Sequence, residues 1–384
     1  MRPDGAELAA DLRSWAAEKR ESLVSALARL ASIDAPTGDV EALRVSEELV
    51  ASRLAELGGK VRRHPTPAGT HLEASFGPAD GKPVLIIAHY DTVWPRGTAA
   101  ARPPRVENGV IHGPGVFDMR GGLVAALGAV EALATLGELR RPLRFLVTAD
   151  EESGSVTSEE LVVALGRAAG SVLIPEPPLP GGALKTARKG VIAYRLDVEG
   201  REAHAGGAIE RGTSAIHELM ELCSTVRGLA RPAAGTTANV GLIGGGTRPN
   251  VVAGAAFAEV DVRVASAAEQ ERVEAAFAAL RPSRQEASLT VTRLHVRPPM
   301  ERTAAIAKAA ARARELASLL GAELQEGATG GGSDGNFLAP LGVAVLDGLG
   351  PEGGGAHALD EHVLVRSLEE RAVLLALLVA LLEH

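Results

Sequence analysis

The chain has 384 residues, 46% hydrophobic and 23% charged, and its 40 lysines and arginines against 48 aspartates and glutamates give a formal net charge of −8. That length predicts roughly two to three domains with a sizeable core, and an acidic balance without blocks of like charge argues against a nucleic-acid or anionic-membrane partner. The single cysteine, Cys223, excludes an internal disulfide framework and fits a reducing compartment.

Residues 6–32 repeat apolar side chains at helical spacing, through Leu8, Leu12, Trp15, Leu23, Leu27 and Leu30. This opening stretch is charged and lacks an apolar h-region, and no apolar run approaches a membrane span, so a soluble cytoplasmic protein is expected. Asp34-Ala35-Pro36-Thr37-Gly38-Asp39 breaks the helix, and a second is expected over 40–57. Short strands are expected near 60–64 and 71–76. The apolar run 84–88 predicts a buried strand, stopped by His89-Tyr90-Asp91. Asn108-Gly109 between Val106 and Val110-Ile111 is a hairpin signal. Asp118 then precedes Gly121-Gly122 and an apolar helix over 123–136. Buried strands at 143–148 and 172–175 end in Asp150-Glu151-Glu152 and Glu176-Pro177. Strand alternating with helix predicts an α/β domain, a mainly parallel sheet covered by helices.

Beyond Gly181-Gly182 the pattern changes. Strands are expected at 191–198, 237–243, 256–264 and 289–296, with helices at 213–229 and 267–280. The order β-α-β-β-α-β is the split arrangement of a ferredoxin-like α+β domain. The expected division is therefore a first domain over 1–185, an insertion over 186–298, and a return to the first domain over 299–384. The returning part holds a helix near 303–320, the loop Gly330-Gly331-Gly332-Ser333-Asp334, a strand at 343–346 and a second glycine-rich loop. It continues into Ala356-His357-Ala358-Leu359-Asp360-Glu361-His362 and closes on a helix over 366–382.

His89, Asp91, Asp118, Glu151, Glu152 and Glu176 all fall at strand ends of the first domain, and His357 in a late loop. Open α/β sheets place ligands at that edge. Imidazoles with carboxylates suit Zn²⁺ or a similar divalent ion. So many carboxylates at one edge repel each other, and bound cations offset that repulsion. Taken singly, each has a plainer explanation: Glu151-Glu152 suits a helix N-terminus, Asp118 a helix cap, and His89 a hydrogen-bonded strand end. Their convergence on one edge favours the metal. The glycine loops have no Walker lysine or dinucleotide spacing, so a phosphate cradle is not expected.

The motifs HYDTV, GPGVFDMRGG, TADEESGS, IPEP, REAHAGG, GGGSDG and AHALDEH, in this order, resemble the di-zinc aminoacylase and carboxypeptidase family of metallopeptidases. The bacterial glutamate carboxypeptidases are the nearest group, and the resemblance covers nearly the whole chain. It implies a zinc-peptidase-like catalytic domain with an inserted lid and dimerisation domain, and two Zn²⁺ per subunit, with Co²⁺ or Mn²⁺ as alternatives. Asp118 resembles the carboxylate that bridges the two ions. His89 and Glu176 look like the other ligands of one ion, Glu152 and His357 those of the second. Asp91 is similar to the residue that orients the ligand histidine, and Glu151 to the general base. His204 resembles the histidine that reaches across a dimer to the oxyanion in the partner's site. Arg263 resembles the residue that grips the substrate's α-carboxylate and Asn250 a substrate-contacting amide near the same place, while Gly331, within Gly330–Gly332, would let backbone approach the substrate closely. There are departures. Arg120 stands where lysine is common, Pro175 precedes Glu176, and Arg188-Lys189-Gly190 forms a basic run that suits either an acidic substrate or a solvated hinge. His112, His217, His295 and His362 acquire no role.

The implied function is a homodimeric zinc hydrolase that cleaves an amide beside a free α-carboxylate. Its substrates would be N-acyl amino acids, small peptides or folyl-type glutamates. The alternatives are an N-acyl-amino-acid deacylase, desuccinylase or dipeptidase of the same family, and, from another class, a non-catalytic metal-stabilised binding protein. Glu151, which a structural metal site would not need, argues against the last.

Overall fold

The computed structural model describes residues 5–382. These divide into two compact units. One runs through Ala187, takes up Arg302–Thr329 and resumes at Ser333; the other comprises Arg188–Glu301 and Gly330–Gly332.

Among the described residues the first unit carries an eight-stranded sheet. Its order is Lys60–Thr66, Gly69–Phe76, Leu143–Thr148, Val84–His89, Ser171–Ile174, Val345–Asp347, Leu184–Arg188 and Glu326–Thr329. Val84–His89 runs parallel to Leu143–Thr148 and Ser171–Ile174, and Ser171–Ile174 parallel to Val345–Asp347. The pairs Lys60–Thr66 with Gly69–Phe76, Gly69–Phe76 with Leu143–Thr148, and Val345–Asp347 with Leu184–Arg188 are antiparallel. The parallel arrangement read from the sequence therefore holds for the four central strands, and the whole sheet is mixed. Every residue of Val84–His89 and Ser171–Ile174 is buried, as expected where both faces of a parallel sheet are covered. The outer strand Lys60–Thr66 is arginine-rich and contains Pro65, features that discourage further pairing at an edge.

Helix Gly121–Thr135 is almost wholly buried and packs against both Gly5–Ala31 and Val365–Leu381. Gly128 permits that approach, since a Cβ there would lie 2.8 Å from a methyl of Leu23. A small antiparallel sheet joins Gly353–Gly354, His362–Leu364, Val110–His112 and Arg105–Glu107. It links the Asn108-Gly109 hairpin to the segment that follows His357. Among the described residues no helix is long and apolar enough to cross a membrane.

The second unit has four antiparallel strands in the order Thr237–Gly245, Ala255–Val264, Gly190–Glu199 and Ser288–Arg297. Helices Ala215–Arg227 and Ala267–Ala278 complete the β-α-β-β-α-β order. Each starts where a serine hydroxyl, Ser214 or Ser266, accepts from a backbone N–H of the first turn. Tyr194 stacks on Phe277 with ring centroids 3.8 Å apart, joining sheet and helix in one core.

Glu326 receives Arg302 at 2.8 Å and Arg314 at 2.9 Å. The Arg302 guanidinium is the main reason that its carboxyl sits down at about 2; partial burial opposes the effect and Arg314 reinforces it. A carboxyl held below its unfolded value adds stability that is whole above pH 4.5 and is lost as the pH falls toward 2. Glu326→Gln is expected to cost about 1 kcal/mol near neutral pH, measured by urea unfolding with a chelator present. The gap to wild type should close on acidification, and a gap that stays constant would remove the carboxylate charge as its cause.

Candidate active site

The carboxyl ends of the parallel strands place His89 one residue before the turn to Asp91, with Thr148 paired beside His89 and Asp150-Glu151-Glu152 just beyond. His89 is buried. Its Nδ1 lies 3.0 Å from the backbone carbonyl of Asp91 and 3.3 Å from Asp91 Oδ1. Both neighbours are acceptors, so the neutral ring keeps its proton on Nδ1 and turns the lone pair of Nε2 the other way. That Nε2 is 3.5 Å from Asp118 Oδ1 and 3.7 Å from Glu176 Oε1. Asp118 Oδ2 in turn lies 3.3 Å from His357 Nε2, which is 3.2 Å from Glu152 Oε2.

Among the described residues, these side chains make two sets able to hold a metal ion: His89, Asp118 and Glu176, and Asp118, Glu152 and His357. Two donors bound at zinc's usual distance in a tetrahedral site lie roughly 3.3 Å apart, close to the separations seen here. His89 Nε2 and Glu152 Oε1 are buried without a hydrogen-bond partner. Such orphaned atoms are expensive in a protein interior unless something occupies the space they face. Donor chemistry, spacing and orphaned atoms all fit a divalent ion.

The electrostatics show a crowded site. Burial alone would raise the Asp118 carboxyl, but His357 and His89 hold it well below the usual range. Burial also opposes charge on His89, yet Asp118 and Asp91 leave the imidazole well above its ordinary value. Asp118 and Glu152 push His357 up to about 10. Desolvation lifts Glu152 to about 7, with His357 opposing and Asp118 reinforcing. Glu151 sits beside them in a short turn, half-buried, and its charge acts on both His89 and Glu152.

Four of the sequence-predicted residues belong to the second unit. His204 and Val251 form a bridge, and Ala205 donates to the Asn250 carbonyl at 3.0 Å, so the segments of His204 and Asn250 lie together. The exposed His204 ring accepts at Nδ1 from the N–H groups of Gly206 and Gly207, both at 3.1 Å. This leaves Nε2 as the protonated nitrogen of the neutral ring. Arg263 lies on the strand Ala255–Val264 with its Nε donating to Asp261 at 2.8 Å. The carbonyls of Gly331 and Gly332 accept from Arg188 at 3.2 and 2.9 Å. Arg188 is buried, which excludes the solvated hinge considered for it. Among the described residues, a Cβ on Gly331 would meet nothing within 4 Å.

A family model described as Peptidase family M20/M25/M40 matches residues 85–381. The chain belongs to that family. Carboxypeptidase G2 of Pseudomonas sp. (strain RS-16) is 28% identical over 379 residues, covering 95% of this chain and 90% of its own. The succinyl-diaminopimelate desuccinylase of Dechloromonas aromatica is 29% identical over 343 residues, covering 84% of this chain and 89% of its own. In fold, the chain is similar to the aminopeptidase PepT of Bacillus cereus, with a TM-score of 0.75 at 24% identity over 94% of this chain and 98% of that one. The M20 family metallo-carboxypeptidase Sso-CP2 of Sulfolobus solfataricus gives 0.73 at 18% identity, over 94% and 98%. As an M20 family member the chain is a hydrolase of the metallopeptidase or aminoacylase type.

Sequence reasoning missed several residues that hold this M20 site in place. Thr37 donates to Asp91 Oδ2 at 2.7 Å, and the Glu152 N–H donates to the same oxygen at 3.2 Å. Buried Asp150 anchors the loop after Glu152: it accepts from the Thr157 N–H and hydroxyl at 2.6 and 2.7 Å and from Ser158 at 2.6 Å. His71 accepts the Ala149 N–H at Nδ1 and so donates from Nε2 to the Thr157 hydroxyl, at 3.0 Å; burial pushes the pKa of this ring down, against Asp150 and Asp91. Glu361 accepts from the N–H groups of Gly115, Phe117 and Asp118 and from the Trp94 indole. Arg120, the departure from lysine, is fully buried and donates to the Leu30 carbonyl at 2.7 Å. Glycine beside an acid or a threonine before a helix were the available signals, and neither is specific.

Pro175, another departure, is held between two glycines. A Cβ on Gly122 would lie 1.7 Å from the Pro175 carbonyl oxygen, and one on Gly350 would lie 2.6 Å from it. The turn that presents Glu176 is therefore clamped by backbone that no side chain can replace. Gly122→Ala is expected to lower stability by about 1–3 kcal/mol or more in thermal unfolding. Gly330→Ala, where a Cβ meets nothing within 4 Å, should stay within about 0.5 kcal/mol of wild type. Equal stability of the two variants would show that the Gly122 approach is not a constraint.

Proposed function

We propose that this chain is a zinc-dependent hydrolase that cleaves an amide or peptide bond next to a free C-terminal carboxylate, in the manner of a glutamate carboxypeptidase. Asp118 carries the reading, because its two oxygens face two different imidazoles, at 3.5 and 3.3 Å. One ion would be held by His89, Asp118 and Glu176, and the other by Asp118, Glu152 and His357. We assign Zn²⁺ to both, with Co²⁺ or Mn²⁺ as ions the same donors accept. Bound there, zinc supplies a Lewis acid and lowers the pKa of water to about 7.

The chain's own residues do the rest. Asp91 fixes the His89 tautomer and so directs Nε2. Glu151 takes a proton from the attacking water as its oxygen bonds to the acyl carbon. The same carboxyl returns that proton to the amine nitrogen as the C–N bond breaks. His204 donates from Nε2 to the oxyanion of the tetrahedral intermediate, and we place it in the partner's site of a homodimer formed through the second unit, which acts as lid. Arg263 grips the substrate's α-carboxylate through its planar guanidinium, and Asn250, whose segment lies with that of His204, supplies a substrate-contacting amide. Gly331 offers open backbone to the substrate. The lone buried Cys223 fits a reducing, cytoplasmic setting.

The match to carboxypeptidase G2 over 95% of the chain favours a carboxypeptidase acting on a folyl-type glutamate or small peptide. The second reading is an N-acyl-amino-acid deacylase or desuccinylase, favoured by the desuccinylase relative at 29% identity. Mass spectrometry of products from a pooled panel of folyl-glutamate, dipeptides and N-acyl amino acids separates them. Zinc-dependent release of glutamate supports the first; release of another amino acid alone supports the second.

Glu151→Gln is expected to retain its metal and lose roughly 10²–10⁴-fold in kcat; retained turnover would take Glu151 out of the mechanism. His204→Ala and Arg263→Ala should each be inactive as homodimers. Mixed dimers of the two should recover activity if His204 serves the partner's site, and recovery would be absent if each site used its own His204.

A further inference from the structure

Glu361 is fully buried. It is four residues beyond His357 and was given no role by any motif. Oε1 accepts from the Phe117 N–H at 3.0 Å and the Asp118 N–H at 3.1 Å. Oε2 accepts from the Gly115 N–H at 2.7 Å and the Trp94 indole at 2.8 Å. One carboxylate thus gathers four donors, three of them from the backbone that leads into Asp118.

That backbone has no regular partner. Gly115 is left-handed at φ +71°, and Asp118 and Met119 are non-helical, so the N–H groups of 115–118 are not used by a helix. The loop from His357 to Glu361 is itself tight. His357 is a non-glycine residue at φ +61°, Ala358 donates to the Gly355 carbonyl at 2.9 Å, and Glu361 donates to the Ala358 carbonyl at 3.2 Å. The loop therefore touches Asp118 twice. His357 meets its side chain at 3.3 Å, and Glu361 holds its main chain.

We propose that Glu361 is a positioning residue that fixes the separation of Asp118 and His357, and through it the affinity of the metal set formed by Asp118, Glu152 and His357. It ligates nothing itself. An acid is suited to this place because only a carboxylate offers acceptors on both oxygens; the amide of glutamine turns two N–H groups toward donors. The inference rests on the metal reading proposed above.

The test is the zinc content and zinc affinity of the full chain, with Glu361→Gln, His357→Ala and the double variant compared with wild type. Zinc is counted by elemental analysis after equilibration with graded chelators, and folding is checked by circular dichroism. Glu361→Gln should keep one ion at wild-type affinity and bind the other about 10–100-fold more weakly. In the His357→Ala background the same change should add little, since both residues act on one set. Trp94→Phe, which removes one donor and leaves the three backbone bonds, should weaken the same ion by a smaller factor. Rescue should follow acceptor capacity, with Glu361→Asp better than Glu361→Ala. Two ions held by Glu361→Gln at wild-type affinity, or additive effects in the double variant, would overturn the inference and leave the metal reading standing. A wild type that binds no zinc would overturn both.

Discussion

The constraint on which the rest of the structure depends is the need to hold several carboxylates together at one sheet edge. Asp91, Glu151, Glu152 and Glu176 arrive there because parallel strands end on the same side, whereas Asp118 is brought in by the irregular turn before helix Gly121–Thr135 and not by a strand end. At close range in a partly desolvated place, like charges of this kind repel strongly. Two imidazoles interleave them, and Asp118 stands at the centre with one oxygen toward each. A helix could not present Asp118 in this way. The backbone departs from helical angles at Asp118 and Met119, and only at Gly121 does the regular helix begin. The buried helix Gly121–Thr135 thus begins directly behind the irregular turn that carries Asp118.

Around that centre two buried acids are saturated: Asp150 by Thr157 and Ser158, Glu361 by three peptide N–H groups and an indole. Atoms that face inward, His89 Nε2 and Glu152 Oε1, are left without partners. Satisfied bonds around unsatisfied atoms are the mark of preorganisation, in which local stability is given up where a ligand will repay it. The same contrast explains the glycines. Gly122 and Gly350 are required because backbone presses on backbone at Pro175, whereas at Gly331 the chain itself leaves the space open.

Much of this was legible in the sequence, and the reasons are physical. The strand Val84–His89 and the helix Gly121–Thr135 announced themselves because burial on all sides demands unbroken apolar runs. The ferredoxin-like order of the second unit was legible because its strands are long and half-buried, so alternation survives; Ala255–Val264 alternates without a fault after its first residue. Of the small sheet, the hairpin of Arg105–Glu107 and Val110–His112 was legible from Asn108-Gly109, but its pairing with His362–Leu364 and Gly353–Gly354 was not, since strands of two or three residues carry no period. The outer strands Leu184–Arg188 and Glu326–Thr329 were missed as well. Their polar positions and short length look like loop until a neighbouring strand is known. In the site, the residues that the structure gathers into two candidate sets, His89, Asp118, Glu152, Glu176 and His357, were legible because histidine and paired acids are chemically conspicuous. Thr37, which donates to Asp91, and His71, Asp150 and Glu361, which accept backbone N–H groups, were not, because a residue that works through such supporting bonds has no spacing rule. Its partners lie far along the chain, as Glu361 lies from Gly115.

The proposed mechanism also separates reaction from recognition. Glu151 and the two ligand sets act on the amide and on water, which every substrate of such an enzyme has in common. They cannot tell one acyl group or side chain from another. Discrimination needs groups that meet the variable part of the substrate, and a polar or charged pocket rejects a wrong partner far more strongly than an apolar one. The residues proposed for that task, Arg263, Asn250 and the open backbone of Gly331, all belong to the second unit. Arg188 binds the carbonyls of Gly331 and Gly332, so that loop is held by the same unit as Arg263 and Asn250. On this reading a hydrolase can change substrate while its metal-binding strand ends stay fixed. Relatives named for a carboxypeptidase and for a desuccinylase, each matching most of the same chain, are then the expected outcome of one reaction core served by variable recognition.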